Sequence, residues 1–241
     1  MEQRFIGKTV WVTGAQTSIG TALVQRFQDE GAAVVQSSEA LTEESAAAAL
    51  SEVTTLDVLV TADKVIEPKL LQDCVADDFD AAIDANLTSV FNAMRAAMHK
   101  FGKDRGGAIV IVNSIHGEKP NGIAPMFSVA CGGLNMLVKE ASLDFGRLGV
   151  RVNQLRVGAI EGDDSIFYPN ELSGIYQTMP TRIARGKPGT PEEAAAAAAF
   201  LCSSDASFIN GAALNCDGGF LGYYMDADME QRWSIGFEGK Q

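Results

Sequence analysis

Short apolar runs that alternate with longer stretches of helical spacing constrain this chain more than any other feature. Lys8–Val12, Ala33–Val35, Asp57–Val60, Ala108–Val112, Arg151–Leu155 and Ala213–Cys216 read as strands. Several are almost continuously apolar, as strands covered on both faces are. Helical spacing fills the intervals. In Ile19–Asp29 the residues Ile19, Leu23, Val24 and Phe27 share one face, and further helices are predicted from about Ala76 to Lys100, over Phe127–Gly146 and over Pro191–Leu201. Pro191 followed by Glu192 and Glu193 suits a first helical turn, through proline geometry and the macrodipole. Parallel strands with covering helices follow: an α/β chain with one doubly wound parallel sheet and helices on both faces. All 241 residues are expected to form a single domain. Ala159–Gly189 lacks periodicity and carries Pro169, Pro180 and Pro188, so 159–189 is expected to be a lid-like substrate loop.

Composition excludes several function classes. With 19 Lys+Arg against 31 Asp+Glu the net charge is −12, so neither nucleic acid nor an anionic membrane is an expected partner. No apolar run approaches the roughly 20 residues of a membrane span. The start, Met-Glu-Gln-Arg-Phe-Ile-Gly-Lys, has no apolar signal core, and a cytoplasmic location is expected. Cys74, Cys131, Cys202 and Cys216 are scattered and read as reduced thiols. Two histidines, His99 and His116, give no zinc pattern, and no metal is expected.

Between the first strand and first helix stands Thr13-Gly14-Ala15-Gln16-Thr17-Ser18-Ile19-Gly20. In a doubly wound fold this is where backbone N–H groups face a pyrophosphate. The run resembles the T-G-x-x-x-G-I-G turn of the short-chain dehydrogenase/reductase family, and the likeness extends along almost the whole chain. It implies a Rossmann-like fold with Gly14, Ser18, Ile19 and Gly20 as the dinucleotide-binding set. That set is degenerate, because Ser18 replaces the middle glycine, which lets the backbone approach the phosphates. Other positions depart further. Ser38 follows the second strand where an NAD enzyme carries a carboxylate and an NADP enzyme an arginine nearby, although Glu39 serves if the turn is shifted. Segment 36–56 is shortened on the adenine side: it has room for one short helix, Glu43–Leu50, where the family fits a helix, a strand and a second helix. Thr61-Ala62-Asp63 replaces Asn-Asn-Ala-Gly, which brings a carboxylate into a cleft meant for an anion. Val157-Gly158 stands for Pro-Gly, and Gly162 for the threonine that usually bonds the carboxamide.

The catalytic segment departs most. Ser114 ends the strand that carries the family's catalytic serine, and Phe127 follows it by 13 positions, the spacing of the catalytic tyrosine. Phe127-Ser-Val-Ala-Cys131 then takes the place of Tyr-x-x-x-Lys. Phenylalanine has no proton to give, and Cys131 brings no ammonium to the nicotinamide ribose. Proton transfer alone is worth roughly 10²–10⁴-fold. Asn86 matches the asparagine of the family's relay, with a structural role in a kinked helix as the competing reading. His116, beside Glu118 and Lys119, is the candidate replacement acid or base. Tyr168 and Tyr176 fall in the lid, without a lysine at the required spacing.

The tail Ile209-Asn-Gly-Ala-Ala-Leu-Asn-Cys-Asp217-Gly-Gly219 retains the family pattern, and in relatives that strand and the helix Phe127–Gly146 form subunit interfaces. The resemblance therefore implies a non-catalytic subunit, with no cofactor of its own, in a tetramer-like assembly with an active homologue or with itself. Precedents pair such chains with hydroxyacyl-CoA and hydroxyacyl-carrier dehydrogenases that bind NAD(P). The alternative is a self-sufficient oxidoreductase, or a cofactor-free lyase or isomerase, using Ser114 and His116.

Overall fold

The computed structural model describes residues 3–102, 106–120, 122–162 and 182–222. Six strands form one parallel sheet: β1 (Thr9–Thr13), β2 (Ala33–Ser37), β3 (Val58–Thr61), β4 (Gly107–Ser114), β5 (Val150–Val157) and β6 (Ala213–Cys216), in the order β2-β1-β3-β4-β5-β6. Every strand expected from sequence is present; β6 has the expected bounds, and the others are displaced or extended by one to three residues.

The alternation of side chains along each strand sorts the core into two layers. Val10, Val12, Val58, Val60, Ala108 and Val110 face helices α1 (Ser18–Asp29) and α6 (Pro191–Cys202). Trp11, Leu59, Ile109 and Ile111 face the other side. That side is covered by α2 (Glu43–Ala49), α4 (Ser89–Met98) and α5 (Pro125–Gly146). The alanine run has a packing reason, since Ala194, Ala195, Ala198 and Ala199 are fully buried in the α1 layer. Thr190 caps α6 by accepting from Glu193 N (3.3 Å), while the Glu193 carboxylate accepts from Thr190 N (2.9 Å). This reciprocal pair, with Pro191 behind it, fixes where the helix starts.

One feature differs from the expected elements. The helix expected from Ala76 to Lys100 is divided: α3 (Ala76–Ile83) passes through a π turn (Asp84–Thr88) into α4. The extra residue of the π turn re-aims Asn86 into the core. Between β2 and β3 lies a single helix, α2, and β2 is the edge of the sheet. Of the lid, residues 163–181, with Tyr168 and Tyr176, lie outside the described residues. Its two ends meet where Ile160 pairs with Gly189.

The amino end is pinned to α1 by a buried ion cluster. Arg4 donates twice to the Glu30 carboxylate (2.6 and 2.7 Å), Arg26 donates to it as well, and the Glu30 side chain is 0% exposed. Burial pushes the Glu30 carboxyl up, but the hydrogen bonds and charges of Arg4 and Arg26 outweigh it and hold the group below its ordinary value. A carboxylate held low stabilises the fold above its unfolded pKa, and that stability is lost as pH falls through the folded value. Glu30→Gln should therefore lower stability by about 3 kcal/mol at neutral pH. Urea unfolding should show the gap closing in acid. A gap of the same size at every pH would contradict this account of the cluster.

Candidate functional site

Strand order reverses at β1, with β2 on one side and β3 on the other, so the crevice of the sheet opens beyond the carboxyl ends of β1 and β3. Two glycines make the turn possible there. Gly14 has φ +62°, and a Cβ on it would lie 2.4 Å from the Ala62 carbonyl; a Cβ on Gly20 would lie 2.0 Å from Gly14 O. Thr17 then caps α1, donating to Gly14 O (2.9 Å) and accepting from Gly20 N (2.9 Å). Thr17 and Ile19 line the cleft at the positive end of the helix. The loop after β5 approaches the same point, since a Cβ on Gly162 would be 3.7 Å from Ser18 Cβ.

Asp63 crosses the switch point. One carboxylate oxygen accepts from Thr13 Oγ1 on β1, and the other accepts from Ser89 Oγ on α4 (3.2 Å). Ser89 Oγ accepts in turn from Leu41 N (2.8 Å) in the loop before α2. Burial pushes the Asp63 carboxyl above its ordinary value, opposed by the two hydroxyls.

On the other wall, Ser114 ends β4, and its Oγ accepts from His116 N (3.2 Å). One turn apart on α5, Phe127 (5% exposed) and Cys131 (1%) line the same cleft as Ser114 and Asn86. Phe127 packs with Ala124, Cys131 and Ile66. Burial pushes the Cys131 thiol up to about 12, so it is neutral at ordinary pH. The Asn86 amide is committed to backbone: it accepts from Val65 N and donates to Val65 O and Ala82 O, all at 2.9 Å. That is the structural role. His116 stands edge-on to the Phe127 ring, 6.3 Å between centroids, with Nδ1 3.1 Å from Lys119 O. The sequence candidates Ser114, Asn86, Phe127 and Cys131 thus meet in one cleft, with His116 beside its aromatic wall. Glu39 is exposed in the loop after β2.

Sequence reasoning missed two parts of the site. Lys64 enters the cleft next to Asp63, and its charge is felt at Cys131. Behind Cys131 lies an amide cluster: Asn113 Nδ2 donates to Gln154 Oε1 (3.0 Å), Asn135 Oδ1 (3.1 Å) and Cys131 O (3.1 Å), and Asn135 donates to Gly117 O (2.9 Å). Amide side chains inside strands, Asn113 on β4 and Gln154 on β5, were the available signal. The cavity left at the cleft is about 20 Å³, the room of one or two waters. Among the described residues no group of three His, Cys, Asp or Glu side chains is placed to hold a metal, and no helix is long and apolar enough to cross a membrane.

Known proteins match this architecture. A family model described as enoyl-(acyl carrier protein) reductase matches residues 36–221. The chain belongs to the short-chain dehydrogenase/reductase family. Glucose 1-dehydrogenase 2 of Bacillus subtilis (strain 168) is 29% identical over 255 residues, covering 92% of this chain and 98% of that protein. The 3-oxoacyl-[acyl-carrier-protein] reductase FabG of Chlamydia muridarum (strain MoPn / Nigg) is 32% identical over 170 residues, 70% of this chain and 67% of the relative. A gluconate 5-dehydrogenase from Burkholderia cenocepacia J2315, solved in complex with NADP and tartrate, superposes with a TM-score of 0.83 at 23% identity, over 92% of this chain and 98% of that one, and so shares the fold. Members of this family are oxidoreductases that bind NAD(P), and the coarse assignment of this chain to an oxidoreductase family rests on these matches.

Two outcomes test the site. A carboxyl whose folded pKa is raised favours the fold most below its unfolded pKa, and that contribution is lost as pH rises through the folded value. The stability of Asp63→Asn relative to the unaltered chain should therefore improve as pH rises from mildly acidic to neutral. A difference that ignores pH, or runs the other way, would contradict a buried carboxylate held by Thr13 and Ser89. With its thiol at about 12, Cys131 should resist a thiol reagent in the native protein and react only on unfolding. Stoichiometric native labelling of Cys131 at mildly alkaline pH would overturn the assignment of a buried, neutral thiol.

Proposed function

We propose that this chain does not carry out hydride transfer by itself and serves as a supporting subunit beside a catalytically complete homologue in a tetramer-like assembly. The observation that carries this reading is the cleft: Phe127 and Cys131 line it with Ser114, and it keeps only about 20 Å³. Neither side chain does the work of a tyrosine acid with a lysine beside it, since one lacks a proton and the other lacks a charge. Asp63 at the switch point and the approach of Gly162 to Ser18 further crowd the path of a dinucleotide. Apolar side chains on two helices support association. Val129, Met136 and Leu143 along α5 are 49%, 56% and 68% exposed, and Phe91 and Met98 of α4 are 43% and 37% exposed. NAD(P) then belongs to the partner.

A second reading, a self-sufficient oxidoreductase with a relocated acid, is the one that the comparisons favour. Relatives named as dehydrogenases match more than nine-tenths of the chain. In this reading His116, beside Phe127 and two residues after Ser114, supplies the proton that accompanies hydride transfer from NAD(P)H to a carbonyl.

One experiment separates the two. Calorimetry on the purified chain should show no binding of NAD(H) or NADP(H) in the micromolar range. Phe127→Tyr with Cys131→Lys should fail to create ketone reduction, because Asp63 and the short 36–56 segment are unchanged. Micromolar binding together with turnover that disappears in His116→Gln would replace the subunit reading with the second one.

A further inference from the structure

A second cavity, much larger than the one at the cleft, lies at the opposite end of the sheet. It holds about 450 Å³ at the amino ends of β1, β3, β4 and β5, where the residues before and at each strand start, Lys8, Asp57, Gly107 and Arg151, come together with Ser203, Ser204 and Ser207 at the end of α6. That volume lies within the range of small-molecule sites, about 300–1,000 Å³. Its charge departs from that of the chain. Arg4, Lys8 and Arg151 face it against Asp57 alone, in a protein with 19 basic and 31 acidic residues.

The three cations are held differently. Lys8 Nζ meets Asp57 Oδ1 at 2.9 Å, and Arg4 serves the buried Glu30, which Arg26 also serves. Among the described residues no carboxylate pairs with Arg151: its guanidinium donates to three carbonyls, Leu201 O (2.8 Å), Ser203 O (3.0 Å) and Ile209 O (3.4 Å). These satisfy hydrogen bonds and leave the charge uncompensated. Desolvation accordingly lowers the Arg151 pKa. Among the described residues, Arg4 beside Glu30, Lys8 beside Asp57 and Arg151 among carbonyls leave one positive charge in excess at the cavity. The exposed hydroxyls of Ser204 and Ser207 add neutral donors at its rim.

We propose that this cavity is a binding site for a small molecule carrying a phosphate or diphosphate group. A phosphate is opposite in sign to the cavity's excess charge and takes several hydrogen bonds, which the guanidinium, ammonium and serine donors around the cavity suit. The site is independent of the cleft at the carboxyl ends of the strands, so its fate does not depend on the proposed function.

Titration calorimetry at constant ionic strength tests it, with inorganic phosphate, pyrophosphate and ADP as probes and chloride as the control. Pyrophosphate should bind more tightly than phosphate, and Ser207→Asp, a change at an exposed position, should weaken it by at least about tenfold. Lys8→Gln should also weaken it. ADP weakened in parallel by Ser207→Asp identifies a phosphate ester as the natural ligand class, whereas inorganic probes binding without ADP identify the free anion. Absence of pyrophosphate binding, or equal binding by the unaltered chain and Ser207→Asp, would overturn the proposal.

Discussion

The Asp63 carboxylate sits where the strand order reverses, and much of the cleft depends on it. Through Thr13 it holds the end of β1, and through Ser89 and Leu41 it holds the amino end of α4 and the loop before α2. Three elements at the switch point are thereby tied together. A buried carboxylate is costly unless its lone pairs are met, so Thr13 and Ser89 are as much a part of the arrangement as the acid itself. The cross-link also places a carboxyl, raised above its ordinary pKa by burial, in a crevice whose helix end favours an anion.

The opposite wall is consistent with this closure. Phe127 fills the volume of a tyrosine and packs on Ile66 and Cys131, so the wall is kept while the proton is lost. The amide cluster of Asn113, Asn135 and Gln154 braces the turn after Ser114 through Gly117. The serine is therefore well placed but has an aromatic wall for a neighbour. Family membership and oxidoreductase ancestry describe the frame; the residues facing the crevice decide what it still does.

Much of the frame was legible because it follows from local rules. The apolar runs marked the strands that the sheet contains, with Val10 and Val12 in one layer and Trp11 in the other, and Pro191 with its acidic neighbours marked the start of the helix that the Thr190–Glu193 pair caps. Legibility failed where partners are distant in sequence. Nothing near Asp63 announces Thr13, 50 positions earlier, or Ser89, 26 later. Lys64 belongs to no motif, and its place in the cleft depends on how β3 ends against α5. The π turn at Asp84–Thr88 was hidden because one inserted residue barely disturbs helical spacing, yet it decides where Asn86 points.

The most direct test of the central claim is isolation of the native assembly from its host, followed by identification of every chain in it and of the nucleotide it carries. The account predicts a complex of this chain with a homologue that has an intact Tyr-x-x-x-Lys, with NAD(P) bound to that homologue. A homo-oligomer of this chain alone that carries NAD(P) and reduces or oxidises a substrate would contradict it.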